Sequence, residues 1–179
     1  MTFDDENGLD RRGFLHCMAW VGTGAMWTMT SGVLKGTSIE QAARGAMGRG
    51  DAMMGGLRFV QISDSHIGFD KPANTDVTAT LRAAIAKIEA APEQPSFVLH
   101  TGDLTHLSKA SEFDTLQQVL SELSLPVFYV PGEHDVLEDD GKSYLQRFGK
   151  GTQGAGWHSF DHGGVHFVGL VNVVNLKAG

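Results

Sequence analysis

Three apolar runs of strand length, each closed by a short polar cluster, set the limits on what this chain can fold into. Leu57–Ile62 leads into Asp64-Ser65-His66, Phe97–Leu99 into Gly102-Asp103, and Val127–Val130 into Gly132-Glu133-His134-Asp135. Between the first two runs Val77, Leu81, Ala84, Ile85 and Ile88 recur at helical spacing. Between the second and third, Phe113, Leu116, Leu120 and Leu123 do the same. The order strand, helix, strand, helix, strand implies a parallel sheet with helical crossovers. In such an open sheet, residues just past the carboxyl ends of adjacent strands converge on one crevice. Asp64, His66, Asp103, Glu133 and His134 are therefore expected in one site, and carboxylates mixed with imidazoles suit hard to borderline cations.

Local signals bound the elements. Asn74 is placed to cap the first helix, and Pro92 and Pro95 close it. Glu112 and Asp114 suit the first turn of the second helix, and Pro126 ends that segment. Tyr144, Leu145 and Phe148 suggest a short helix stopped by Gly149 and Gly151. His158–Phe160 and Val165–Val171 read as two strands joined through Asp161-His162-Gly163-Gly164. The fold class is thus α/β, a mostly parallel sheet with a C-terminal antiparallel hairpin. The chain stops shortly after an apolar strand with no helix to cover it, and so reads as the N-terminal portion of a domain. His100 lies within a strand and is read as a core histidine, and His106 as a loop residue, with a hydrogen bond near Asp103 as the competing reading. His158, His162 and His166 are spaced by four, but Gly163-Gly164 breaks any helix there, and a structural place in the hairpin is expected for all three.

Composition narrows the function. Hydrophobic residues make up 41% of 179, enough for a packed core. Of the net charge of −7, the part from Gly56 onward holds 9 Lys and Arg against 15 Asp and Glu, or −6. That balance argues against nucleic acid as a specific partner, since duplex binding needs basic patches. It does not exclude a phosphate-bearing substrate, because bound cations invert the local field. With Cys17 as its one cysteine, the chain forms no intramolecular disulfide and no cysteine-based zinc site.

The N-terminal third reads as an address. Arg11 and Arg12 stand directly before Gly13–Leu34, a stretch of 22 residues without Lys, Arg, Asp or Glu. Basic, then apolar, then small-polar is the order of a secretory signal. Phe14-Leu15 after the paired arginines, the weak glycine-diluted hydrophobicity and the trailing Lys35 resemble a twin-arginine export signal. An uncleaved transmembrane anchor is the competing reading, as 22 residues are long enough to span a bilayer. Residues 1–35 are read as the signal. Residues 36–56, rich in Gly, Ala and Met, are read as a flexible linker, and 57–179 as the folded domain. The expected partner during export is the twin-arginine translocase, the destination is periplasmic or exported, and no membrane span is expected after cleavage.

Strand–Asp-x-His, strand–Gly-Asp and strand–Gly-x-His-Asp, in that order, resemble the first half of the calcineurin-like metallophosphoesterase family. The spacings are 39 residues from Asp64 to Asp103 and 31 from Asp103 to His134, and Leu104-Thr105 adds to the match. The resemblance covers residues 57–176. It implies half of a four-layer α/β/β/α sandwich, with two divalent or mixed-valence transition metals (Fe, Mn or Zn) at the strand ends. It implies phosphomonoester or phosphodiester hydrolysis of a small-molecule substrate by a metal-activated hydroxide. By the same resemblance Asp64 and His66 hold the first metal, Asp103 bridges both, position 133 serves the second, and His134 protonates the leaving oxygen. The chain departs from the family pattern in two ways. Glu133 stands where the family usually has Asn; it adds negative charge and favours a harder metal pair, or it turns outward as a solvated residue. The Gly-His and Gly-His-x-His motifs of the family's second sheet are absent from this sequence. The complete protein is therefore expected to be a hydrolase. A non-catalytic metal-binding or interaction protein, or an inactive truncated fragment, are the alternatives.

Overall fold

A computed structural model describes residues 24–30, 33–38 and 56–173. Arg11, Arg12 and Cys17 lie outside the described residues. Among the described residues seven strands and three α-helices follow in chain order: β1 (Ala25–Thr30), β2 (Val33–Ser38), β3 (Leu57–Ile62), α1 (Val77–Glu89), β4 (Val98–His100), α2 (Ala110–Leu120), β5 (Val127–Tyr129), α3 (Lys142–Phe148), β6 (His158–His162) and β7 (Val165–Gly169). A one-turn 3₁₀ segment, Glu133–Asp135, lies between β5 and α3.

The main sheet has the order β2-β1-β3-β4-β5. β3, β4 and β5 are parallel, with Val60 opposite Val98 and Val98 opposite Val127. These are the three strands expected from the apolar runs. β1 and β2 extend the sheet antiparallel to β3, with Trp27 opposite Phe59. The sheet therefore begins before Leu57, within the stretch read as signal and linker. Met26 and Thr28 are buried on one side of β1, and Trp27 and Met29 pack on the other. A mildly apolar run with both faces covered carries no alternation by which sequence alone would mark it as a strand.

α1 starts at Asp76, whose side chain accepts from Ala79 N at 2.8 Å. Asn74 is not the cap. It stands two residues earlier and accepts from Asp76 N at 3.1 Å. The helical stripes are as expected: Val77, Leu81, Ala84, Ile85 and Ile88 on α1 are buried, as are Phe113, Leu116 and Leu120 on α2. They cover one face of the sheet against Val60, Ile62 and Val98. The β6–β7 hairpin turns at Gly163-Gly164, both at positive φ, and covers the other face. There Phe160 and Phe167 meet Phe59, Phe97 and Phe128. Among the described residues no helix is long and apolar enough to cross a membrane.

Candidate metal centre

The rim at the carboxyl ends of β3, β4 and β5 is a laced set of loops. Past the strand ends, Asp64 N donates to Gly102 O at 3.0 Å, His66 N to Asp103 O at 3.0 Å, Ile67 N to Leu104 O at 3.1 Å and His106 N to Ile67 O at 3.0 Å. The two loops thus run side by side beyond the sheet. The lacing forces Asp64, His66 and Asp103 to φ of 58°, 40° and 49°, a region that non-glycine residues enter only when their surroundings hold them there. The β5 loop comes in against Asp103 through Gly132. A Cβ there would lie 2.1 Å from Asp103 Oδ1 and 2.4 Å from its backbone nitrogen, so only glycine permits the approach.

Asp135 ties the third loop to the second. Its fully buried carboxylate accepts from Gly132 N at 2.9 Å, Leu104 N at 3.1 Å, Thr105 N at 2.8 Å and Thr105 Oγ1 at 3.0 Å. Burial pushes its carboxyl up to about 6 even though these donors pull the other way.

This scaffold brings donor atoms together. His66 Nε2 lies 3.8 Å from Asp64 Oδ1 and 3.7 Å from Asp103 Oδ2. One ligand atom from each of Asp64, His66 and Asp103 falls within 4.8 Å of the others, and the same holds for His66, His106 and His134. Burial is the main cause that holds His66 below the ordinary imidazole value, outweighing the carboxylates of Asp103 and Asp64. The ring is therefore neutral near pH 7, the form that binds a metal. Ligands about 2.1 Å from a cation stand up to about 4 Å apart across it, so the 3.7 and 3.8 Å gaps fit one ion between carboxylates and imidazole.

His134 sits against this set. Its backbone N–H donates to Asp103 Oδ1 at 3.0 Å, and its ring meets that of His66 edge-to-face at 4.6 Å. His134 Nδ1 is 2.6 Å from the carbonyl oxygen of His106. A carbonyl only accepts, so Nδ1 carries the hydrogen and Nε2 is left for chemistry.

The profile of the calcineurin-like phosphoesterase family matches residues 57–178, more than half of the chain. The chain belongs to the calcineurin-like phosphoesterase family. A probable cyclic nucleotide phosphodiesterase of Rhodopseudomonas palustris is 31% identical to it over 90 residues, 49% of this chain and 33% of that protein. Probable cyclic nucleotide phosphodiesterases of Vesicomyosocius okutanii and of a Pseudoalteromonas species are 34% and 31% identical over 42% and 46% of this chain. The matched stretch spans about a third of the length of each of these relatives. Membership in this family of phosphoester hydrolases implies divalent metal ions, and the Asp64–His66–Asp103 set is where the structure offers to hold one.

Of the residues singled out in the sequence, Asp64, His66, Asp103 and His134 come together at the rim. Glu133 opens the 3₁₀ turn with an exposed side chain and belongs to neither donor cluster among the described residues. His100 is buried in β4, as expected of a core histidine. His158, His162 and His166 all lie on the hairpin, where His166 pairs with Asp161 at 2.9 Å. Two residues have roles that the sequence reading did not assign. His106, read as a loop residue, stacks on His134 at 5.2 Å with the rings 16° apart. Asp135 is the clamp between loops. The available signal was position alone, since both follow a strand end by only a few residues.

Proposed function

We propose that the protein hydrolyses a small-molecule phosphodiester, with cyclic nucleotides as the leading substrate class. The single observation that carries this reading is the Asp64–His66–Asp103 donor set lying beside a His134 whose Nε2 is left free. The relatives' names supply the substrate class. Two divalent ions, when bound, would supply Lewis-acid activation of water and of the phosphoryl oxygens. Asp64, His66 and Asp103 would hold them, with Asp103 serving both, and Glu133 is proposed to swing in as a further oxygen donor. Fe, Mn and Zn all suit this mixture of oxygen and nitrogen. His134 holds Nδ1–H on the His106 carbonyl, keeps its ring fixed at the rim, takes up a second proton from water on Nε2 and, as the imidazolium, passes that proton to the leaving oxygen.

The test separates binding from chemistry in the complete polypeptide. His134→Ala keeps its metal by elemental analysis and loses about 10²–10⁴-fold in kcat, the usual worth of a general acid. The defect shrinks with leaving groups of low pKa, which need less protonation. Asp103→Asn instead loses metal. An unchanged rate on every ester in His134→Ala would sink the assignment.

Export by the twin-arginine route is proposed alongside, on Arg11-Arg12 and the uncharged stretch behind them. Arg11→Lys with Arg12→Lys keeps the charge yet is expected to strand the protein in the cytoplasm. Normal export of that variant on cell fractionation would point to a general secretory signal or an anchor.

A further inference from the structure

Three consecutive parallel strands each deliver an imidazole to the same rim: His66 after β3, His106 after β4 and His134 after β5. One ring nitrogen from each lies within 4.8 Å of the others. His66 and His106 each keep a buried Nδ1 with no hydrogen-bond partner. His66 as a whole is 4% exposed, so that nitrogen has no ready access to water. His134 spends Nδ1 on the His106 carbonyl and has Nε2 left over. Buried polar atoms are paired as a rule, and an unpaired one in a native fold asks for a ligand or a reason.

The chemistry of this set differs from that of its neighbour. Asp64–His66–Asp103 is rich in oxygen and suits hard ions. Three imidazoles with no carboxylate among them suit Cu²⁺, Ni²⁺ and Zn²⁺ and suit Mg²⁺ and Ca²⁺ poorly. The two sets share His66.

We propose that His66, His106 and His134 form a second, nitrogen-only cation site, selective for borderline metals, which overlaps the oxygen-rich set and competes with it through His66. An ion there takes His134 Nε2 as a ligand and removes it as a proton donor, so the site is inhibitory. The inhibitory part rests on the hydrolase reading above, whereas the binding part stands on the donor set alone.

The test begins with binding. Cu²⁺ is titrated into the full chain and followed by electron paramagnetic resonance. Nitrogen superhyperfine structure from several imidazoles is expected, displaced by Zn²⁺ and far less readily by Mg²⁺. His106→Gln is expected to weaken Cu²⁺ binding at least about tenfold, the lower range of loss even for residues that only support a ligand. Unchanged affinity and spectrum in a folded His106→Gln would overturn the site. Should that variant misfold, substoichiometric Cu²⁺ in the wild-type chain broadens the imidazole NMR signals of His66, His106 and His134 before those of His158, His162 and His166. The reverse order would overturn the site equally. Inhibition is read in the complete polypeptide as Zn²⁺ suppression of Mn²⁺-supported turnover, each variant against its own rate. A half-inhibiting concentration at least about tenfold higher in His106→Gln supports the regulatory part. Tight binding without inhibition overturns that part and leaves the site standing. Full activity in His134→Ala defeats the proton-donor role on which the inhibitory part rests. Absence of turnover of every phosphoester by the complete wild-type polypeptide defeats the hydrolase reading. With Cu²⁺ binding intact in the wild type, neither touches the site.

Discussion

On one face of the sheet Val60, Val98 and Val127 meet side chains from α1, α2 and α3; on the other, Phe59, Leu99 and Phe128 meet the β6–β7 hairpin. The helical face is aliphatic and closed, and Leu81, Ile88, Leu104, Phe113, Leu116 and Val119 there are at most 1% exposed. The hairpin face is aromatic and open at one side. It encloses a cavity of about 340 Å³ lined by Leu99, Phe128, Phe160, Phe167 and Leu170 among others. The hairpin's outer residues Val168 and Leu170 are 57% and 72% exposed. Each crossover helix comes packaged with the strands it joins, so the helical face is sealed by segments near in sequence. The hairpin face depends on a later return of the chain. The loops that carry Asp64, Asp103 and His134 sit at the end of the well-sealed layer, and their positive-φ residues are held there by that packing.

Substitution should cost most on the sealed face. Phe113→Ala empties a fully buried ring position between α2 and the core. The expected loss is about 3–5 kcal/mol, read by chemical denaturation. A loss under about 1 kcal/mol would show that the helical face relaxes as freely as the hairpin face, and the contrast would go.

Acid should act on the same face. Ser65 Oγ donates to Leu104 O at 2.9 Å, so it accepts from His100, which carries its hydrogen on Nε2 and keeps a bare, buried Nδ1. Burial, and next His66, hold the His100 imidazole down to about 3, against about 6.5 unfolded. Between those values the unfolded chain binds the extra proton and the folded chain does not. Stability from this group is therefore complete above about pH 6.5 and falls as the pH drops toward 3, reaching a loss of about 3 kcal/mol at pH 4. Urea midpoints taken from pH 7 to pH 4 check this. The Asp135 carboxyl, raised to about 6, works in the opposite sense over the same range, so the wild type is read against His100→Gln; profiles that run parallel would mean that His100 reaches water in solution.

The same contrast explains what the sequence made legible. Val77, Leu81, Ile85 and Ile88 repeat with the period of a helix because one side of α1 faces the core and the other faces water. The residue pairs that hold β1 to β3, such as Met26 with Val60, are set by a register between segments far apart in the chain. Nothing local in Ala25–Thr30 distinguishes a two-sided strand from an export signal. In the site, Asp64, His66, Asp103 and His134 could be read from their places just past strand ends. His106 could not, because its role rests on the bridge between Ile67 and Thr105 and on the bond from His134 Nδ1. Asp135 was hidden likewise, since its carboxylate works on backbone groups some thirty residues away.

On the hairpin face a truncation should cost less. Phe160 is half-buried and stacks on Phe128 at 3.8 Å with the rings 7° apart. Phe160→Ala loses that stack and part of a buried ring, an expected cost of about 1–2 kcal/mol. A loss equal to that of Phe113→Ala would place the hairpin in the same cooperative core as the helices.

The smallest effect on stability is expected at the hairpin's outer residues. Val168 and Leu170 line the cavity yet stay mostly exposed, which leaves an apolar patch in water there. Val168→Thr with Leu170→Ser removes apolar surface without opening a void, so stability should move by no more than about 0.5 kcal/mol. Exposed patches of this kind drive association, so the double variant should self-associate less than the parent in sedimentation velocity at matched concentration. If it instead loses more than about 1 kcal/mol with no change in association, those side chains are packed in the isolated molecule. The hairpin face would then be as closed as the helical one.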